Sequence, residues 1–359
     1  MAKSQYYPGL DLLRFVAAIL VILDHFGLFA LNYPSATGPV ADRAFPFLSP
    51  MTSIGSIGIE IFFLISGFII PASSLGLSAK TFAYRRAIRV LPALWVSGLI
   101  AFAARLATGE PVAALAGDLC RSAILSPLGP YIDGVVWTLV VEAVFYLVIF
   151  GSILWAGMKN ITQLIYAIGS LSIIYISIYW LTTLMSPHHA LALKATEILG
   201  RFPFKVFLMR YGMFFALGMA IWCYSSAETS RINFIFFLAL VAFCLIEILY
   251  DRPGLGEGGS AILIWLVALN VLIISALRPS WISIKSDSSN RLSRQLGLLS
   301  YPLYLNHYTL GMCLVAFFAR TGFSVTAIFA LALSVVFVIS YFIMILPERA
   351  IQKRLLAMI

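Results

Sequence analysis

Charge is what this chain has least of. Only 11% of its 359 residues are Asp, Glu, Lys or Arg, while 61% are hydrophobic. Average soluble domains carry about 25% charged residues. With a mean hydropathy of +0.98, too little polar surface remains to solvate a globular fold on all sides. The composition therefore excludes a soluble enzyme and indicates a polytopic membrane protein. Acidic residues are scarcer than basic ones, 15 against 24, for a net charge of +9. Such an excess can signal a nucleic-acid partner, but basic residues gathered in short loops on one side of a bilayer explain it more simply, so no nucleic-acid binding is expected. The cysteines are four, Cys120, Cys223, Cys244 and Cys313, with no CxxC spacing. Neither a disulfide framework nor a metal cluster is expected. Internal repeats and low-complexity tracts are also lacking.

What is present is a series of apolar stretches about 20 residues long, the length that crosses a bilayer as a helix. They fall near 10–31, 53–72, 84–105, 134–156, 162–184, 204–224, 232–250, 260–277, 296–318 and 323–345. The expected fold is all-α with about ten transmembrane helices, in one transmembrane domain over 1–359 without a fused extracytoplasmic domain. The first stretch, interrupted by Asp24 and His25, is too long for a cleaved signal peptide and is expected to be kept as a helix. Ten spans put both termini on one side. Loops on that side carry Lys3, Lys80, Arg85, Arg86, Arg89, Lys159, Arg231, Arg278, Lys285, Arg291, Arg294, Arg349, Lys353 and Arg354. The opposite loops carry fewer, among them Arg43, Arg121, Lys194, Arg201 and Arg252. The asymmetry makes the termini cytoplasmic. Segments 106–133, 186–203 and 278–295 read as loops.

Ionisable groups at membrane depth cost about 3 kcal/mol each to insert and are functional candidates by default. They are Arg14, Asp24, His25, Glu60, Glu142, Glu247 and His307. Some of them, Glu247 in FCLIEILY above all, can serve only to pair across helices. Arg14 and His25 are eleven residues apart, which returns them to one helix face within roughly 20° and separates them by roughly 16 Å. Asp11 joins that stripe by an i,i+3 relation, whereas Asp24 points about 100° away from His25. In YRRAIRVLPALW, residues 84–95, Arg85 and Arg86 both meet Arg89 on one side of a helix. Three guanidiniums this close call for an anion, and their forks suit phosphate oxygens. The alternative is a topology anchor at lipid headgroups.

Gly55, Gly58 and Gly67 in GSIGIEIFFLISGFII thin a helix surface and allow close backbone approach. Ser66 has no GxSxG context, so it reads as packing or pore-lining, together with Gly67 and Phe68, rather than as a nucleophile. In WTLVVEAVFYL Glu142 precedes Phe145 and Tyr146 by one turn. A lone carboxylate there is neutral or paired. In LGLLSYPLYLNHY His307 lies midway along the ninth span behind Pro302, which frees a carbonyl and can kink the helix. His188 and His189, beside Pro187, read as surface residues.

Taken in order, DLLR and DH of the first span, FFLISGF, RAIRVLP, WTLVVEAVFY, SYPLYLNH and the terminal LPERAIQKRL resemble the membrane-bound acyltransferase family 3, bacterial multi-pass enzymes that O-acylate surface polysaccharides, lipopolysaccharide, other glycans and some natural products. The resemblance runs from residue 9 to about 354. The family's arginine and histidine spaced by ten residues fall on Arg14 and His25, its serine-glycine-phenylalanine on Ser66, Gly67 and Phe68, and its paired arginines on Arg86 and Arg89. One departure is Thr138 where serine often stands.

The resemblance implies a bacterial inner-membrane enzyme that takes an acyl group, acetyl in the first instance, from acyl-coenzyme A. No cofactor is expected to be permanently bound. The acceptor is a saccharide hydroxyl in a glycan or lipid-linked glycan, or alternatively a glycosylated natural product. Arg85, Arg86 and Arg89 would hold the coenzyme A phosphates. His25 would act as general base beyond Arg14, with Asp24, Glu60 or Glu142 orienting its ring, and an acyl-histidine intermediate stays open. A secondary transporter would also keep Arg, His and Glu at depth, but with an inverted repeat and broken helices, and the sequence carries no such repeat.

Overall fold

The computed structural model describes residues 6–32, 45–52, 54–157, 159–226, 232–252, 255–278 and 287–345. Among them no strand occurs. The helices are α1 (Pro8–Asn32), α2 (Ile57–Ala72), α3 (Ala79–Ala107), α4 (Val112–Ala123), α5 (Val136–Ala156), α6 (Ile161–Met185), α7 (Ala190–Leu199), α8 (Phe202–Val206), α9 (Gly212–Ser225), α10 (Phe234–Asp251), α11 (Leu255–Leu277), α12 (Asp287–Asn306), α13 (Thr309–Ala319) and α14 (Val325–Ile343), with a 3-10 turn at Pro46–Met51. Six of the described helices are long and apolar enough to cross a membrane, and α2, α9 and α13 are shorter apolar helices. The chain is a polytopic all-α membrane protein.

The ten expected stretches are largely helical, with four corrections, the first being that the sixth, 204–224, is split between α8, which ends at Val206, and α9, which begins at Gly212. The ninth is not continuous: α12 ends at Asn306 and α13 begins at Thr309, leaving His307 and Tyr308 in a break. The segments read as loops at 106–133 and 186–203 contain α4, α7 and α8, helices of 12, 10 and 5 residues, too short for a membrane-length window to register. The segment 278–295 is helical from Asp287 onward. Lys3, Arg43, Arg231, Lys285, Arg349, Lys353, Arg354 and the whole LPERAIQKRL segment lie outside the described residues.

Two compact units divide the chain. Among the described residues, one contains those of 6–10, 60–83 and 140–278, the other those of 11–59, 84–139 and 287–345. In the first, α9 is the core: Gly212 to Cys223 are all buried, and the helix packs against α6, α10 and α11. A Cβ on Gly67 would stand 2.3 Å from the Phe215 carbonyl oxygen, and one on Gly218 2.2 Å from that of Leu64. Here α2 and α9 meet backbone to backbone, which only glycine permits.

In the second unit the same device works at Gly55 and Gly58, where a Cβ would stand 2.2 Å and 2.3 Å from the carbonyl oxygens of Leu20 and Ala17 on α1. Its core joins Ile22 and Phe26 of α1 to Leu303, Leu310, Ile328 and Val336. Helix α14 packs on both α12 and α13, so the two halves of the broken span share one support.

Candidate active site

A break inside a membrane span exposes the last carbonyls of one helix and the first N–H groups of the next, which need partners because lipid supplies none. At the α12/α13 break side chains supply them. The Pro302 carbonyl accepts from Asn306 Nδ2 at 2.7 Å and from Ser340 Oγ at 3.3 Å. Asn306 Nδ2 also reaches Ser97 Oγ at 3.0 Å. On the other side of the break, Thr309 N donates to Asp133 Oδ2 at 3.0 Å, while Val135 N donates to Asp133 Oδ1 at 3.0 Å. Burial pushes the Asp133 carboxyl up to about 6, against the two N–H bonds that favour its charged form.

His307 sits in this break with no exposed surface. Its Nδ1 lies 2.7 Å from the Tyr304 carbonyl oxygen, and its Nε2 lies 2.7 Å from His25 Nδ1. The two rings meet edge to edge, centroids 5.0 Å apart and planes 16° from parallel, and the Tyr308 ring stands edge-on to His25 at 4.8 Å. With both imidazoles neutral, the protons in this chain have one arrangement. A carbonyl oxygen only accepts, so His307 carries its proton on Nδ1. Its Nε2 then has only a lone pair, so His25 must donate from Nδ1. His25 Nε2 is left unprotonated and is the basic end of the pair.

The ring of His25 is thus oriented by a second histidine where the sequence suggested a carboxylate. Glu142 accepts from Ser66 Oγ at 2.7 Å. Glu60 accepts from Arg252, Nη1 and Nη2 both at 3.2 Å from Oε1. Asp24 is buried at 3% exposure. Its Cβ would stand 2.7 Å from a Cβ on Gly55, so the glycine that clears the Leu20 carbonyl also clears Asp24. Arg14 pairs with Asp11 at 3.8 Å, the i,i+3 relation expected from spacing. A Cβ on Gly297 would meet the Asp11 side chain at 2.5 Å, so glycine makes room for this pair beside α12.

Arg85 is exposed and Arg86 and Arg89 are half-buried, near the start of α3. Gly67 abuts Phe215 as described, and the Phe68 ring meets Tyr7 edge-on at 5.4 Å. His188 and His189 are exposed.

Several charged partners escaped the sequence reading. Glu247 pairs with Arg210, which also donates to Asp251 at 2.5 Å. Arg252, counted among loop charges, is only 2% exposed. Their signal was the surplus of buried carboxylates, each needing a cation. At the far end of α3, Arg105 donates to Glu110 at 2.7 Å, to Asp118 at 3.1 Å and to the carbonyls of Tyr131 and Ile132 at 3.3 and 3.2 Å. No signal short of the tertiary fold points to that network. Among the described residues no group of three or more His, Cys, Asp or Glu could hold a metal ion.

The family model described as an acyltransferase domain, that of acyltransferase family 3, matches residues 7–345. Nodulation protein 10 of Rhizobium leguminosarum bv. viciae is 30% identical over 194 residues, 47% of this chain and 50% of that protein. The chain thus spans about half the length of the curated relative it matches. No solved structure matches. Residues 7–345 account for nearly the whole chain, and the chain belongs to acyltransferase family 3.

Proposed function

We propose that this membrane acyltransferase moves an acyl group, acetyl in the first instance, from acyl-coenzyme A to a hydroxyl of a saccharide in a surface glycan, at the inner membrane of a bacterium with both termini cytoplasmic. The observation that carries the reading is the contact of His25 Nδ1 with His307 Nε2, which, for two neutral rings with His307 Nδ1 on the Tyr304 carbonyl, leaves the lone pair on His25 Nε2. A neutral imidazole in this tautomer takes a proton from an alcohol as the alcohol becomes nucleophilic.

The step balances without a metal or a bound cofactor. The acceptor oxygen bonds to the thioester carbon as its proton passes to His25 Nε2. The carbon–sulfur bond then breaks, and the leaving thiolate takes that proton back from the imidazolium. Throughout, Nδ1 keeps its proton, so the bond to His307 survives and holds the ring still. Arg85, Arg86 and Arg89 are suited to the donor's phosphates by charge-assisted bonds. From Arg14, on the His25 face of α1, the pantetheine arm would run roughly 16 Å inward to the base.

The test is release of thiol from acetyl-coenzyme A by the purified protein in nanodiscs, followed with and without saccharide, with the acylated product identified by mass spectrometry. Saccharide-dependent thiol release that is lost in His25→Ala, in protein that inserts normally, is expected. Wild-type protein that neither cleaves the thioester nor acylates any saccharide would overturn the reading.

A further inference from the structure

The second unit contains a cavity of about 520 Å³, within the roughly 300–1,000 Å³ range of sites that enclose small ligands. It is lined by Arg105, Glu110, Tyr131, Tyr308, Thr309 and Arg320 among others. Tyr308 belongs both to this wall and to the surroundings of His25, whose ring it meets edge-on at 4.8 Å. Gly134, also on the wall, holds it there: a Cβ at 134 would stand 2.6 Å from Tyr308 Cε1. The cavity is therefore one aromatic ring away from the candidate base.

Its position along α3 separates it from the arginines assigned to the donor. Arg89 and Arg105 are sixteen residues apart on one helix, a rise of roughly 24 Å. That is most of a bilayer's hydrocarbon thickness, about 30 Å. A ligand entering here approaches His25 from the end of α3 opposite Arg85, Arg86 and Arg89.

The wall chemistry describes the ligand. Guanidinium, carboxylate and threonine hydroxyls offer donors and acceptors, and two tyrosine rings offer flat faces, a mixture that fits a ring bearing several hydroxyls rather than an acyl chain. Charge refines this. Arg105 is compensated by Glu110 and Asp118. Arg320 is exposed and, among the described residues, has no ion pair. The rim thus carries one cation that is not offset.

We propose that this cavity is the acceptor site, that it takes one or two sugar units bearing an acidic group, and that Arg320 recognises that group by a charge-assisted fork. The inference rests on the acyl-transfer reading and adds the acceptor's place and charge class. A carboxylate docked on Arg320 would hold the sugar with a neighbouring hydroxyl turned toward Tyr308 and His25.

Two soluble probes test it on the full-length protein in nanodiscs with acetyl-coenzyme A, methyl glucuronide and methyl glucoside. The kcat/KM ratio should favour the glucuronide about ten-fold, the worth of one hydrogen bond to a charged group, and Arg320→Gln should abolish that preference. A binding arm needs no turnover. In Thr108→Cys the new thiol lies at the cavity wall, whereas exposed Cys120 lies outside the lining. Methyl glucuronide should slow maleimide labelling at 108 and not at 120, read by peptide mass spectrometry. A glucuronide preference that survives Arg320→Gln would show that Arg320 does not recognise the acidic group and would overturn the proposal. Equal labelling at 108 with and without sugar would overturn it as well. If the thioester is not cleaved with any acceptor, the acyl-transfer reading itself fails. Cleavage without a glucuronide preference sinks this inference alone.

Discussion

Replacing His307 by Leu removes the acceptor for His25 Nδ1–H while keeping the site apolar and filled. The consequence follows from the proton arrangement. To remain basic at Nε2, His25 must then hold an unpaired N–H where His307 stood, fully buried. An unsatisfied buried donor costs about 1–3 kcal/mol. The ring can avoid this by carrying its proton on Nε2, but that tautomer has no lone pair at Nε2 to take the proton of the acceptor hydroxyl. Either way the reactive form lies about 1–3 kcal/mol higher, and kcat should fall about 5- to 150-fold. Donor affinity should not change, because no phosphate contact is altered. His307→Gln keeps an amide oxygen near the position of Nε2 and should recover much of the loss. Single-turnover transfer from acetyl-coenzyme A measures the first quantity, and calorimetry with a non-hydrolysable donor analogue the second. A Leu variant with wild-type kcat, or one whose loss appears only as weaker donor binding, would refute the relay.

Arg86→Gln and Arg89→Gln should raise KM for the donor, by about 1–3 kcal/mol of binding each, and spare kcat, since phosphates bound alike in ground and transition states contribute uniformly. Unchanged analogue affinity in the double variant would make these arginines topology anchors. Ser66→Ala stays small and should retain much of the activity, while Gly67→Leu should fail to give monodisperse protein on size-exclusion chromatography, because even a Cβ there would stand 2.3 Å from a backbone oxygen. An acyl group trapped on Ser66 would reverse that view. For Asp133 the folded value, about 6, lies above the ordinary carboxylate value of 3.8. Its neutral form is therefore the stabilising one, with its contribution complete below pH 3.8 and lost as pH rises through about 6. Thermal unfolding between pH 4 and 7 should show a Tm decline that is shallower in Asp133→Asn. Identical slopes would contradict the assignment.

The parts of the site legible in the sequence are those set by one helix. Eleven residues and a 100° step put Arg14 and His25 on one face, and the i,i+3 spacing placed Asp11 beside Arg14 before any tertiary contact was known. What required the fold is long-range. His25 and His307 are 282 residues apart, and neither segment names the other. Hydropathy carried the ninth span straight through His307, since Leu303, Leu305 and Leu310 surround it with apolar residues. Pro302, the visible break signal, instead lies inside α12. The chain breaks at His307–Tyr308, and Asp133, from the segment before α5, receives the first N–H of α13. Glu60 and Glu247 were visible as costly charges, but Arg252 stands just past an apolar window, where a residue reads as a loop charge, and Arg210 sits inside the 204–224 stretch, in the turn before α9 that hydropathy does not reveal.

The central claim is that His25 Nε2 takes the proton of the acceptor hydroxyl, and single-turnover acetyl transfer by His25→Gln tests it most directly, with donor-analogue affinity measured on the same preparation. The account predicts transfer slowed by at least about a hundred-fold, the lower range for losing a general base, with the analogue bound as tightly as by wild-type protein. Transfer at the wild-type rate by a well-inserted His25→Gln protein would contradict it.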